Sequence, residues 1–108
     1  MDSELSPQEV AERLRSESIE LIDVREPHEH EAGHIAGDRH IELAALTQAA
    51  QSIPREKAVV FYCRSGSRSA MASEAFRGAG YDAHNMSGGL LEWEAAGLPL
   101  HPTDGRVA

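Results

Sequence analysis

Three observations predict an α/β fold with a mostly parallel sheet covered by helices on both faces. The run Ala58-Val59-Val60-Phe61-Tyr62-Cys63 is continuously apolar or aromatic, as a strand buried on both sides requires. Short β-prone segments alternate along the chain with segments of helical spacing. Glycine or proline punctuates the joins, at Pro7, Gly33, Pro54, Gly80, Gly97 and Pro99.

Each element has its own signal. In Leu5-Ser6-Pro7-Gln8-Glu9-Val10, Ser6 is a helix cap, Pro7 fits the first helical position and Glu9 completes a capping box. Leu5 and Val10 stand at staple positions. This helix runs to about Arg15. Ile19 to Val24 reads as a strand with Asp23 at its carboxyl end. Pro27 to Ala32 suits one or two helical turns stopped by Gly33. An extended piece around His40-Ile41 precedes an expected helix from about Leu43 to Gln51. After the Cys63 strand, Ala72, Ala75, Phe76 and Ala79 mark a helix from about Ser67 that ends at Gly80. Ala83 to Met86 is a last strand, and Gly88 to Ala96 a last helix.

At 108 residues the chain is one domain, residues 1–108, with a core over about 6–100 and a loose tail at 101–108. A net charge of −8 argues against general binding to nucleic acid or anionic membranes. No apolar run approaches the length of a membrane span, and the first residues do not read as a signal peptide. The one cysteine rules out an internal disulfide and suits a reducing, cytoplasmic setting.

That cysteine carries the chemistry. Cys63 stands where a strand's carboxyl end meets a helix amino end, the place where open α/β sheets put their ligands. The loop Arg64-Ser65-Gly66-Ser67-Arg68-Ser69 can curl into a nest of N–H groups, with Gly66 free to take a positive φ. Backbone donors, a helix dipole and two arginines all favour thiolate over thiol. The Ser65, Ser67 and Ser69 hydroxyls are further candidate donors. Arg64 and Arg68 can attract a small oxyanion.

Four separated segments together resemble the rhodanese homology domain. They are Leu21-Ile22-Asp23-Val24-Arg25-Glu26-Pro27, Gly33-His34-Ile35-Ala36-Gly37, the Cys63–Ser69 loop, and Gly88-Gly89-Leu90-Leu91-Glu92-Trp93 with Gly97-Leu98-Pro99. The resemblance spans Ser6 to Leu100 and implies a single rhodanese-like domain with a central five-stranded parallel sheet. It also implies a sulfurtransferase that needs no cofactor or metal. Cys63 takes a sulfane sulfur from thiosulfate or a similar donor, holds it as a persulfide, and passes it to cyanide, a small thiol or a protein thiol. Residues 64 to 69 bind donor and sulfur; the two arginines favour thiosulfate. Asp23 and Arg25 are supporting residues, with the Asp23 carboxylate holding a loop or an arginine rather than acting as a base. Gly89 allows a close backbone approach near the pocket, and Trp93 is core.

One segment departs from the family pattern. After Gly37 the family is usually apolar and ends in proline, whereas this chain reads Asp38-Arg39-His40-Ile41-Glu42; Arg39 either adds to a cationic rim or is exposed. Other classes are weighed against the same residues. Cysteine-dependent phosphatases need five residues between cysteine and arginine; here there are four, Arg64 to Ser67, a cradle better sized for one sulfur atom. His30-Glu31-Ala32-Gly33-His34 matches the H-E-x-x-H zinc motif in letters, but Gly33 interrupts the helix it needs. Those histidines are expected to be solvated, with His28 offering at most a weak surface metal site. A non-catalytic binding module is the remaining alternative, and it would be favoured by loss of the cysteine or loop.

Overall fold

The computed structural model describes residues 3–108. Five strands form one parallel sheet in the order β1-β5-β4-β2-β3. They are β1 (Glu4–Leu5), β2 (Ile19–Asp23), β3 (Arg39–His40), β4 (Ala58–Tyr62) and β5 (Ala83–Met86). The helices are α1 (Pro7–Arg15), α2 (Pro27–Ala32), α3 (Leu46–Ala49), α4 (Ser67–Gly78) and α5 (Gly89–Ala95).

The central strand β4 pairs in register with β2, Asp23 standing beside Tyr62, and with β5 on its other side. Its side chains alternate between two cores. Val59, Phe61 and Cys63 join Ile22, Val24, Ala72 and Phe76 on one face. Val60 and Tyr62 join Leu21, Val10, Leu90 and Trp93 on the other. Burial on both faces explains the unbroken apolar run, since neither set of alternate positions meets water.

α1 starts as its sequence dictates. The Ser6 hydroxyl accepts from Glu9 N–H at 3.1 Å, and the Glu9 carboxylate accepts from Ser6 N–H at 2.8 Å. Trp93 is buried, with its indole N–H given to the Pro99 carbonyl.

Two expectations are corrected, and one strand stands outside them. Glu4–Leu5 is a strand that the sequence does not announce: Leu5 pairs with Met86 at the sheet edge as well as packing on the α1 side, and two residues are too few to show an alternation. The expected helix over 43–51 is broken into a 3₁₀ turn (Leu43–Ala45), the single turn α3 and a second 3₁₀ turn (Ala50–Ser52). No side chain caps any of the three, and only Leu46 among them is buried, so nothing holds a continuous helix there. The tail is not loose. His101 and His34 exchange two backbone bonds (2.7 and 2.9 Å), Arg106 N–H donates to the Ala32 carbonyl at 2.8 Å, and Val107 packs on the second core. Backbone bonding of this kind leaves no periodic mark in the sequence.

Candidate active site

Cys63 immediately follows β4 and is fully buried. Gly66 N–H donates to its sulfur at 3.1 Å, and the Ser69 hydroxyl lies 3.4 Å from it. The sequence folds into this nest because α5 holds the outside of the loop. Leu90 N–H donates to the Cys63 carbonyl at 2.8 Å and Leu91 N–H donates to the Arg64 carbonyl at 3.1 Å. In a trans peptide the N–H points opposite to its carbonyl. Turning the Arg64 carbonyl toward α5 therefore turns the Ser65 N–H of the same peptide toward the sulfur.

Glycine is required twice. Gly66 has φ +106°, which reverses the loop into α4. Gly89 has φ +62°, and a Cβ there would stand 2.5 Å from the Arg64 carbonyl oxygen. A side chain at 89 would push away the carbonyls that orient the nest.

Burial pushes the Cys63 thiol up. The Ser69 hydroxyl and the N–H groups of Ser69, Gly66 and Ser65 more than offset it, so the pKa is lowered below the ordinary thiol value. Of the three serine hydroxyls expected to help, only Ser69 reaches the sulfur; Ser65 acts through its N–H, and both Ser65 and Ser67 are exposed.

The two arginines are placed differently. Arg64 is exposed, and its Nε donates to the Ala108 carbonyl at 3.1 Å. Arg68 makes a two-pronged pair with Glu29 of α2, at 2.8 and 3.0 Å. That pair, aided by a bond from Glu26 N–H, holds the Glu29 carboxyl down at about 2 against the opposing effect of burial. The sequence marks Glu29 only by its place three residues after the α2 cap.

Asp23 and Arg25 sit behind the loop rather than in it, both fully buried. Arg25 Nε donates to Asp23 Oδ1 at 3.0 Å, and Nη2 donates to Asp23 Oδ2 at 2.8 Å and to the Gly33 carbonyl at 2.7 Å. Burial opposes the Asp23 charge, but Arg25 outweighs it and keeps the carboxyl below its usual value. This pair ties the end of β2 to the α2–β3 connection. Arg39 does not join the rim: it pairs with Glu20 at 3.0 Å, level with the middle of β2. Asp38 instead turns inward and accepts from the Tyr62 hydroxyl at 2.7 Å. Burial raises the Asp38 pKa, with that bond pulling against it.

The histidines also differ from expectation. His28 is exposed, but His30, His34 and His40 are half-buried and their rings stack in a column, 3.9 Å and 4.4 Å between centroids. α2 ends at Ala32, so no continuous helix carries the H-E-x-x-H letters.

A parallel sheet that ends its central strand in a cysteine ringed by N–H donors defines a class of thiolate-loop α/β domains. The rhodanese-like domain family model matches residues 6–96, and the chain belongs to that family. It is 32% identical over 107 residues to a sulfurtransferase of Allochromatium vinosum, covering 97% of this chain and all of that one. It is 43% identical over 75 residues to the uncharacterized protein YqhL of Bacillus subtilis, covering 68% of this chain and 60% of that protein's length. The fold superposes on a rhodanese-related protein of Thermoplasma volcanium with a TM-score of 0.84 at 28% identity, over 93% of this chain and 97% of the other. Sulfur transfer is the activity for which the Allochromatium vinosum relative is named, whereas the chain spans only 60% of the length of the Bacillus subtilis relative. No helix among the described residues is long and apolar enough to cross a membrane.

Proposed function

We propose that the chain is a thiosulfate sulfurtransferase working through a persulfide on Cys63. The observation that carries this reading is the ring of donors around one sulfur atom, with a lowered thiol pKa, at the carboxyl end of the central strand. The Cys63 thiolate attacks the outer sulfur of thiosulfate; a sulfur–sulfur bond to Cys63 forms and the bond to the sulfite sulfur breaks, its electron pair leaving with sulfite. The persulfide's negative charge then lies on the outer sulfur, where the N–H groups of Ser65, Gly66 and Ser69 offset it. Cyanide attacks that outer sulfur, leaves as thiocyanate and returns the thiolate. A thiol acceptor enters the same way.

Arg64 is the more available cation for the donor's oxyanion, since its terminal amino groups carry no protein hydrogen bond among the described residues. Arg68 adds positive potential that Glu29 partly cancels. Asp23 and Arg25 are positioning residues. The partners are a small anionic donor and a thiophilic acceptor, in a reducing cytoplasmic setting. Intact mass before and after incubation with thiosulfate tests the reading. A gain of one sulfur atom, removed by cyanide, is expected. No gain at any donor concentration would leave the binding-module or phosphatase alternatives in its place.

A further inference from the structure

We propose that His30, His34 and Asp38 form a binding site for a divalent cation of the Zn²⁺ or Co²⁺ class, between the carboxyl end of β2 and the start of β3. One ring nitrogen of each histidine and one carboxylate oxygen of Asp38 lie within 4.8 Å of one another. Ligand atoms around a tetrahedral zinc with bonds of about 2.1 Å stand about 3.4 Å apart, so closure needs movements on the order of 1 Å. Two imidazoles and one carboxylate, with water in the remaining position, are a donor set suited to these ions.

The surroundings supply what a metal ligand needs beyond the first contact. His34 Nδ1 bonds the His30 carbonyl at 2.9 Å, which leaves its Nε2 with a lone pair. His30 Nδ1 bonds Asp23 Oδ2 at 2.9 Å, and Asp23 is itself fixed by Arg25. Asp38 is itself nearly covered, 4% exposed, and its Oδ2 lies 3.7 Å from His30 Nδ1.

The His30 and His34 rings stack within 14° of parallel, so their in-plane lone pairs run side by side. Coordination turns one ring out of the stack, and His34, with one side-chain hydrogen bond, is placed to turn. Binding would tie α2 to the start of β3 and stabilise the native state by mass action. Glu31, which would be the base of the H-E-x-x-H letters, is exposed, so the proposal is for binding and not for hydrolysis.

The test uses the untagged full chain carrying Cys63→Ser, which removes the thiolate as a competing ligand. Calorimetric titration with Zn²⁺, visible absorption with Co²⁺ and thermal unfolding with each are the measurements. One ion per chain with micromolar or tighter affinity, a Co²⁺ spectrum of nitrogen and oxygen ligation, and a raised Tm are expected. His34→Gln and Asp38→Asn should each weaken binding at least tenfold (on the scale of losing one supporting contact or more), while His28→Ala leaves it unchanged. Asp38→Asn retains an oxygen acceptor for the Tyr62 hydroxyl and carries the test if His34→Gln unfolds. Affinity no tighter than millimolar, or binding untouched by Asp38→Asn, overturns the proposal.

Discussion

At Cys63 two opposed effects meet: burial favours the neutral thiol, and several donors aimed at one sulfur favour the thiolate. The donors prevail, so alkylation of Cys63 should already proceed below the ordinary thiol range. Ser69→Ala removes the side-chain donor and should move the pH midpoint of alkylation upward; an unmoved midpoint would assign the shift to the backbone alone. Cys63→Ser should abolish sulfur transfer, because a hydroxyl forms no persulfide. Arg64→Ala is expected to raise KM for thiosulfate about fivefold, the loss of roughly 1 kcal/mol of exposed charge pairing, with kcat nearly kept. Rising salt should weaken donor binding in the same sense. Glu29 supplies a separate test. Its pKa is 4.5 in the ordinary case and about 2 here, so its pairing stabilises the fold above pH 4.5 and is lost as pH falls toward 2. After allowance for the half-exposed Arg68, the contribution is about 2 kcal/mol. Glu29→Gln should therefore lower stability at neutral pH and flatten acid denaturation between those values, measured by urea melts across pH. The pair joins residues 39 positions apart in the chain, and no local pattern announces such a partner.

At the scale of elements, the active site is made by α5 as much as by β4 and α4. Two N–H groups from the first turn of α5 fix the loop's carbonyls, and Gly89 lets the backbones meet. Gly89→Ala places a Cβ against the Arg64 carbonyl at a positive φ. A stability loss of about 1–3 kcal/mol is expected, together with a higher Cys63 alkylation midpoint; loss of stability with an unchanged midpoint would show that the nest does not depend on α5. Elements with strong local chemistry were legible from sequence. The α1 capping box, the buried β4 run and the glycine-stopped α4 each needed only neighbours in the chain. Those held by distant backbone bonds were not: β1 exists because β5 offers it an edge, and the tail is ordered because α2 and His34 receive it. The 43–51 segment shows the converse, an apolar stretch whose composition suits a helix but which has no caps to hold one. The strand-to-helix loop after Cys63 is legible as a group of neighbours in the chain, yet which serine reaches the sulfur depends on how α4 starts, a matter of tertiary geometry. The charged segment after Gly37 stood out in the sequence, and its inward-turned Asp38 became visible only beside Tyr62.

Across the whole molecule there is one thiol, and it is completely covered. A loaded Cys63 cannot be relieved by forming an internal disulfide, so discharge depends on an external nucleophile. The persulfide should accumulate when thiosulfate is present without acceptor. Donor and acceptor then visit the same nest in turn, and the kinetics should be of double-displacement type. Parallel lines are expected in double-reciprocal plots at several cyanide concentrations; intersecting lines would require a ternary complex and remove the free persulfide from the pathway. Coverage of the sulfur sets a second expectation. The donors that ring the Cys63 sulfur also enclose it, so under the proposed mechanism a small linear nucleophile should reach the persulfide with less loop displacement than a branched thiol. Discharge of preformed persulfide, followed by intact mass in single turnovers, should run faster with cyanide than with glutathione at equal concentrations of nucleophilic anion. A glutathione rate equal to or above the cyanide rate would mean that the loop opens freely or that the surface docks the thiol. In either case the enclosing nest would not be what limits access to Cys63.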